Sequence, residues 1–325
     1  MEKVFEILEC LSDGRAHSGE TLAAAFSVTR AAVWNRVQRL QDLGVEIEAV
    51  SGKGYRLAVP FEALRSDVIE SYLSVAARRA LRVLRIERVT NSTNQQLLER
   101  ASLADIHGEV LLAEFQTAGR GRRGDAWRAP PGSGVCLSLG WRFDSPPNTM
   151  SALSLVIGLA VARAVRDLNV ANVGVKWPND VLHVGRKLAG ILIEMRAEYA
   201  GSSTVVIGVG INCDLAAAVR AGIPQPVTDL RTALGASVSR NAVAAALVER
   251  LLAALQAFQA TGFAPLMTEW RAFDVLDGHV VDLMLPDRTV SGTARGVDAN
   301  GMLLVEHGGE RVAYMTGHVR LADAP

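Results

Sequence analysis

The hydrophobic pattern changes twice along the chain, and this change constrains the fold more than any other sequence feature. Near the N-terminus, Val4, Ile7, Leu8 and Leu11 follow the i, i+3, i+4, i+7 spacing of a helix with one buried face. The middle of the chain mixes apolar strand-like runs with helical stretches, and the last fifty residues or so contain only short strand-like runs separated by turns. One hydrophobic core rarely extends over 325 residues. We therefore predict an α+β chain with three differently built parts.

The first part has the pattern of a winged helix-turn-helix. Ser18 is placed to cap a helix over Thr21–Phe26, and Thr29 is placed to cap the next helix. An alternating run, Val45–Val50, is followed by glycine-rich turn residues and by the short run Tyr55–Leu57. This arrangement predicts a β-hairpin that would form the wing.

The predicted domain boundaries follow the changes in pattern. We assign 1–60 to the winged helix-turn-helix, 61–80 to a linker with a connecting helix over Phe61–Ser74, 81–272 to a mixed-sheet domain, and 273–325 to a small β-barrel. The predicted central strands are Glu109–Ala113, Val135–Trp141, Val173–Trp177, Ala189–Glu194 and Val205–Ile211. The predicted long helices are Ser151–Leu168 and Asn241–Ala260. The predicted barrel strands are Val280–Leu285, Thr289–Val297, Met302–His307 and Arg311–Met315.

Composition limits the compartment and the partners. Hydrophobic residues make up 49%, and 34 Lys and Arg balance 34 Asp and Glu, so DNA contact would need a local basic patch. Three widely spaced cysteines, Cys10, Cys136 and Cys213, fit neither a disulfide framework nor a zinc site. No signal peptide and no apolar run of roughly 18 residues is present. We expect a cytoplasmic protein that has no membrane partner.

The most specific chemical signal is the loop Gly119–Gly124, with the sequence Gly-Arg-Gly-Arg-Arg-Gly, which follows a strand-like run. Glycines let backbone N–H groups approach an anion closely, and arginines supply permanently charged forked donors. The loop is therefore predicted to hold phosphate or carboxylate. A flexible Arg-Gly linker or a general nucleic-acid patch is the alternative.

Three further segments are weaker signals when taken singly. Lys176–Asp180 ends a strand at Pro178 and presents Asn and Asp at the strand end, although an ordinary Asx turn has the same sequence. Lys187 precedes the apolar run up to Glu194 and could neutralise an anion, or could simply cap a strand. Gly208–Asn212 lacks bulk at alternate positions, which would admit a flat ligand or a close helix contact.

Taken in this order, the segments resemble the biotin–protein ligase family, and in particular its bifunctional members known as biotin operon repressors. The resemblance covers essentially the whole chain, including Ser92-Thr93-Asn94 and Gln116 before the Gly-Arg loop. It implies a class II synthetase-like central domain and an SH3-like C-terminal barrel. It also implies that ATP, with Mg²⁺, adenylates biotin to biotinyl-5′-AMP, and that a lysine of a biotin carboxyl-carrier domain of acetyl-CoA carboxylase then accepts the biotin.

The resemblance further implies site residues. Those implied to bind biotin are Ser92, Thr93, Asn94, Gln116, Gly119, Arg120, Arg122, Lys187, Leu188 and Gly190. Those implied to bind ATP and the adenylate are Arg122, Arg123, Trp127, Lys176, Asn179, Asp180 and Asn212. Lys187 and Arg122 would act catalytically by offsetting the charge repulsion between the biotin carboxylate and the α-phosphate. No protein metal ligands are assigned. The family usually has a basic residue at the position of Asp125, which puts adenylation competence in doubt.

Operator DNA is the implied partner of the N-terminal domain. From Thr21 to Gln41 the only charged side chains are three arginines. The residues predicted to contact DNA are Thr29, Arg30, Trp34, Asn35, Arg36, Gln38, Arg39 and Lys53. A winged helix used only for packing or dimerisation is the alternative.

The resemblance implies a homodimer when the adenylate is bound, with the adenylate serving as corepressor. Two other functions stay open from the sequence. One is a biotin-sensing repressor that does not ligate biotin, and the other is a lipoate-type ligase, which shares the central fold but not the Gly-Arg loop.

Overall fold

Three β-sheets organise the chain in a computed structural model, which describes residues 1–144, 150–197 and 202–322. Within these residues the sheets have two, seven and five strands in chain order. Helices and strands segregate into an N-terminal helical part, a mixed central sheet and a C-terminal antiparallel sheet. The predicted α+β class is confirmed.

The N-terminal part is a winged helix-turn-helix. Its elements are α1 (Glu2–Leu11), α2 (Gly19–Ala25), α3 (Arg30–Asp42), β1 (Ile47–Val50) and β2 (Gly54–Leu57). The predicted caps are confirmed: the Ser18 hydroxyl accepts a hydrogen bond from the Thr21 N–H at 3.0 Å, and the Thr29 hydroxyl accepts one from Ala32. These helices and the hairpin enclose a small core of their own that includes Phe5.

The linker contains two short helices, α4 (Ser66–Tyr72) and α5 (Val75–Ala80). The helix predicted from Phe61 begins only at Ser66, so its first part was wrong. The Glu62 carboxylate instead accepts hydrogen bonds from the Ser239 hydroxyl at 2.7 Å and the Arg240 N–H at 2.6 Å. Residues 61–65 are thus engaged with the start of a long helix, where an acid satisfies free N–H groups.

The central sheet is mixed, in the order β3-β4-β5-β9-β8-β7-β6, with only β3 and β4 parallel. Its strands are β3 (Val83–Thr90), β4 (Glu109–Gln116), β5 (Gly134–Phe143), β6 (Val173–Lys176), β7 (Asp180–His183), β8 (Arg186–Ala197) and β9 (Ser203–Asn212). The helices of this region are α6 (Thr93–Ala101), α7 (Met150–Asp167), α8 (Ala217–Ala221), α9 (Leu230–Leu234), α10 (Arg240–Thr261) and α11 (Met267–Phe273). Helix α6 packs on β4, β5 and β9, while α7 and α10 pack together and bury the main core.

Helix α10 is the one helix of the described residues that is long and apolar enough to cross a membrane. Within its most apolar window 56% is buried, against α7 and β5. That burial is typical of a core helix in a folded domain.

The C-terminal sheet is antiparallel, in the order β13-β12-β11-β10-β14. Its strands are β10 (Val280–Met284), β11 (Thr289–Val297), β12 (Leu303–His307), β13 (Glu310–Tyr314) and β14 (His318–Leu321). Val281 and Val305 belong to the same buried cluster as Val175 of the central sheet. The Trp177 indole N–H donates to the Gly301 carbonyl at 3.1 Å. The C-terminal sheet is therefore packed firmly beside the strand end at Trp177.

Candidate functional site

The Gly-Arg loop forms a hairpin that lies over the central sheet. The Gly121 N–H donates to the Asp125 carbonyl at 2.7 Å, and the Trp127 N–H donates to the Gly119 carbonyl at 3.0 Å. The tip is a short 3₁₀ turn over Arg122–Gly124. Residues 118–126 of this hairpin, with Leu192 and Glu194 of β8, line an open cavity of about 570 Å³.

A glycine slot on the sheet receives the Trp127 side chain. A Cβ atom added to Gly210 would lie 2.3 Å from Trp127 Cε2, and one added to Gly190 would lie 3.1 Å from Trp127 Cζ3. Only residues without side chains allow this approach. The sequence left open a flat ligand or a close helix contact at Gly208–Asn212. In the structure the Trp127 indole lies against Gly210, and Asn94 of helix α6 lies against Gly208.

A buried hydrogen-bond network joins α6 to the strands next to the slot. The Gln116 side-chain carbonyl accepts from the Thr93 N–H at 2.8 Å and from its hydroxyl at 3.1 Å. The Ser138 hydroxyl, which is fully buried, lies 2.7 Å from Thr93 Oγ1 and 2.5 Å from Asn94 Oδ1. Ser92 caps α6. Ser138 was missed because an isolated serine in an apolar strand has no distinguishing pattern.

Two cations of the site, Lys187 and Arg120, each contact an acid; we call them the paired cations. Lys187 Nζ lies 2.8 Å from Asp180 Oδ1. Arg120 Nη2 lies 2.7 Å from Glu194 Oε2 and 3.0 Å from Oε1. Glu194 was not among the predicted site residues, because the partner of a loop arginine is set by the fold rather than by sequence distance.

The turn after β6 holds the tip of the hairpin. Arg122 Nη1 donates to Asn179 Oδ1 at 3.3 Å, and Asn179 Nδ2 donates to the Ile191 carbonyl at 2.7 Å. Burial, and then the neighbouring Arg123, lower the pKa of Arg122 below its usual value. The two predicted motifs at 119–124 and 176–180 therefore meet at this point.

Three cations near the same turn form no ion pair within the described part of the chain; we call them the unpaired cations. They are Arg123, Lys176 and Arg320, and His318 lies among them. Burial lowers the pKa of Lys176, as do Lys187 and Arg320, while Asp180 opposes this. Although His318 is exposed, the protein around it partly desolvates the imidazole, and this effect, followed by Lys176 and Arg320, lowers the pKa of His318. His318 and Arg320 flank the buried Val319 on β14 and were missed, because nothing in the sequence indicates that this strand approaches the site.

Two predicted residues serve the scaffold more directly than the cavity. Leu188, which the resemblance implied to bind biotin, is fully buried in the main core, and Leu192 lines the cavity. Asn212, which the resemblance implied to bind ATP and the adenylate, is buried and donates to the Thr228 carbonyl at 2.9 Å. Asp125 is exposed.

The predicted DNA-contacting residues differ in how far their side chains are exposed to solvent. Those that are exposed are Thr29, Arg30, Trp34, Asn35, Arg39 and Lys53. Gln38 is half-buried and donates to Gln41. Arg36 is also partly buried: its side chain is 13% exposed and lies 3.5 Å from Glu6 of α1. Arg36 follows Val33 by three residues and therefore lies close to the buried face of the helix.

Three segments match known protein families. Residues 85–212 match the biotin/lipoate A/B protein ligase family, residues 3–56 match an HTH domain, and residues 279–321 match the biotin protein ligase C terminal domain.

Curated relatives match over nearly the full length. The Bifunctional ligase/repressor BirA of Salmonella typhimurium is 38% identical over 98% of this chain and 97% of its own. The protein of the same name in Bacillus subtilis is 31% identical over 89% of both chains. The solved structure of biotin protein ligase from Aquifex aeolicus, in complex with biotin and ATP, has a TM-score of 0.64 and 23% identity, and covers 74% of this chain and 100% of that one. That likeness establishes a shared fold.

Proposed function

Because the chain belongs to the biotin–protein ligase family, in its bifunctional ligase/repressor form, we propose that it joins biotin to ATP and passes the biotin to a lysine. In the first step a biotin carboxylate oxygen attacks the α-phosphorus, and pyrophosphate leaves with the electron pair of the broken P–O bond. In the second step a neutral lysine amine attacks the acyl carbon, AMP leaves, and one proton is released. The products are biotinyl-lysine, AMP and pyrophosphate.

The observation that best supports this chemistry is the meeting of Lys187, Arg120 and Arg122 from two distant stretches of the chain. A carboxylate and a triphosphate repel each other, so their reaction needs cations fixed beside the point of attack. Asp180 supports Lys187 at 2.8 Å, and Asn179 supports Arg122 at 3.3 Å. Cations held in this way need little reorganisation when charge develops on the α-phosphate.

The biotin side is best supported by the polar network and the glycine slot. We assign the ureido group to the amide and hydroxyl groups of Gln116, Thr93 and Ser92, whose donors and acceptors suit a cyclic urea. The slot at Gly190 and Gly210, against which the Trp127 indole lies, suits a flat ring. We infer that the indole moves to cover the adenylate, which water would otherwise hydrolyse.

The unpaired cations suit the triphosphate of ATP. Lys176, Arg123 and Arg320 contribute positive charge around the turn that holds Asn179 and Asp180. Magnesium arrives with the nucleotide in this proposal. The described residues contain no group of three or more His, Cys, Asp or Glu that could hold a metal ion, and Mg²⁺ is often bound by phosphates with only one or two carboxylates. Asp180 is the carboxylate of this site that is best placed to take part.

The acceptor and the repressor role follow from the family. We propose that the acceptor lysine belongs to a biotin carboxyl-carrier domain, and that the winged helix binds operator DNA as a homodimer when the adenylate is present. Arg30, Arg39 and Lys53 are exposed on one helix and the wing turn, which supports phosphate contacts. The free cysteines, two of them buried, suit the reducing cytoplasm in which we place the protein.

Acceptor mass tests the ligase proposal. The chain would be incubated with biotin, magnesium-ATP and a carrier domain, and in parallel with lipoate in place of biotin. A mass increase of one biotin, with none from lipoate, supports the proposal. No increase, with operator binding intact, would indicate a sensing repressor instead, and an increase with lipoate would indicate a lipoate-type ligase.

Operator binding at several salt concentrations tests the DNA proposal. Arg39→Ala removes an exposed cation, and we expect weaker binding and a shallower salt dependence, with a slope smaller by about 1. Arg36→Ala is the matched control, since that side chain pairs with Glu6. It should lower the unfolding temperature of the domain while leaving the salt slope unchanged. Equal slopes for wild type and Arg39→Ala would contradict the phosphate contact.

A further inference from the structure

Glu194 is an acid inside a site that must hold two anions, and neither the sequence motifs nor the family resemblance assigned it a role. Its side chain is 26% exposed and lines the cavity under the hairpin. A free carboxylate here would repel both biotin and ATP. Its presence needs an explanation, and its contacts supply one.

Both oxygens of Glu194 contact Arg120 Nη2, at 2.7 and 3.0 Å. Asn94 Nδ2 donates to Glu194 Oε2 at 2.9 Å and lies 3.2 Å from the Leu192 carbonyl, while Asn94 Oδ1 accepts from the buried Ser138. The carboxylate is therefore oriented by buried groups before it meets the arginine. Such orientation lowers the entropy lost when the ion pair forms.

The ion pair joins the hairpin to strand β8 of the central sheet. At its base the Ala118 N–H donates to the Asn91 carbonyl at 2.9 Å, while the described backbone bonds from Gly119 to Trp127 connect the hairpin to itself, as between Gly119 and Trp127. The ties from its side chains to the sheet are the Arg120–Glu194 pair, the Arg122–Asn179 hydrogen bond and the indole in the glycine slot. The indole tie would be lost on substrate binding, because the flat ligand needs the slot. The charged tie can remain.

We propose that Glu194 is a positioning residue that holds Arg120, and with it the hairpin, over the site while the acyl-adenylate waits for its acceptor. This inference rests on the proposed ligase function. It adds that retention of the adenylate, rather than its formation, depends on Glu194. The pair also cancels the negative charge of Glu194, so that the carboxylate does not oppose substrate binding.

The test is the lifetime of the adenylate formed in the absence of acceptor. Glu194→Gln keeps the shape and can still accept from Asn94, but it loses the charge that attracts Arg120. We expect biotinyl-AMP to be lost from the variant, by release or hydrolysis, about tenfold faster than from wild type, as suits a partly buried charged hydrogen bond. The rate of adenylate formation should fall by a smaller factor.

A double-mutant cycle separates positioning from general loss of structure. If Glu194 acts through Arg120, Glu194→Gln should have little additional effect on adenylate lifetime in an Arg120→Gln background. Glu306→Gln is the matched control. Glu306 pairs with Arg295 at 3.1 Å in the C-terminal sheet, and the side chains of that pair are exposed to a similar degree as those of Arg120 and Glu194. The control should leave the lifetime unchanged.

Two results would overturn the inference, and a third would overturn its premise. An unchanged lifetime in Glu194→Gln, or an equal effect of this change with and without Arg120, would remove the positioning role. Failure of wild type to form adenylate from biotin and ATP would instead remove the proposed function. The two failures are distinguishable because formation and lifetime are measured in the same experiment.

Discussion

The paired and the unpaired cations lie around one turn, and they differ in whether a carboxylate is in direct contact with them. Arg120 and Lys187 each contact a carboxylate at 2.7–2.8 Å. Lys176 and Arg320, by contrast, form no ion pair within the described residues; burial lowers the pKa of Lys176, and Asp180 only opposes this effect. A carboxylate contact holds each cation of the first group in place, and no such contact holds the second.

This difference shows how a site can divide two tasks. Ion pairs fix a cation in place, which favours precise stabilisation of developing charge. Unpaired cations repel each other, and a polyanion relieves that repulsion when it binds. We therefore expect the paired cations to determine rate and adenylate retention, and the unpaired cations to determine ATP affinity.

Lys187→Gln, which removes one of the two paired cations, should have the largest effect. We expect adenylate formation to slow by roughly 10²- to 10³-fold, as when one charge-stabilising donor is removed from other enzymes. Lys176→Gln is the comparison, and there the loss should appear mainly as a higher KM for ATP. Steady-state pyrophosphate release over a range of ATP concentrations measures both. Equal losses of kcat in the two variants would contradict the division of tasks.

Arg320→Ala should raise the KM for ATP by about tenfold and leave the KM for biotin nearly unchanged, because it removes one charge from the unpaired group. Arg288→Ala is a control on the same sheet, since Arg288 is exposed and pairs with Asp287 at 2.9 Å. An equal change in the KM for biotin and the KM for ATP would contradict the assignment of Arg320 to ATP affinity.

His318 should make ATP affinity depend on pH. Partial desolvation and then the neighbouring cations lower its pKa, and a bound triphosphate would favour its charged form. ATP binding should therefore take up a proton and tighten as pH falls through this pKa. We expect the ratio of wild-type to His318→Gln affinity to rise roughly threefold between pH 8 and pH 5.5. The effect of pH on ATP itself cancels in this ratio. A ratio of affinities that does not change with pH would therefore contradict a contact between His318 and the triphosphate.

Asp125→Arg should have the smallest effect. The family resemblance led us to expect a basic residue at this position, but the Asp125 side chain is exposed, where salt and water screen its charge. We expect less than about a twofold change in the rate of adenylate formation. A gain of tenfold or more would mean that Asp125 weakens the field at the hairpin after all.

Local patterns predicted much of the fold. The caps at Ser18 and Thr29, the hairpin wing and the strand that ends near Trp177 follow from spacing and turn residues. Strands β3 and β14 were missed, because β3 carries charges among its apolar residues and β14 has only four residues. Both are held by neighbours that are distant in sequence.

The candidate site was predicted in its motifs but not in its contacts. Arg120, Lys187 and Asn179 were found because glycine, proline and charge mark them locally. Glu194 and Arg320 were missed because their significance comes from which residues the fold brings beside them. The contact of Arg36 with Glu6 was missed for the same reason, because Glu6 lies thirty residues earlier in the sequence.

Pyrophosphate release from magnesium-ATP in a single turnover, without any acceptor, tests the central claim most directly. The convergence of Lys187, Arg120 and Arg122 predicts about one equivalent of pyrophosphate per chain with biotin, and none above background with lipoate. No release with biotin, or equal release with lipoate, would contradict a site built to bring the biotin carboxylate and ATP together.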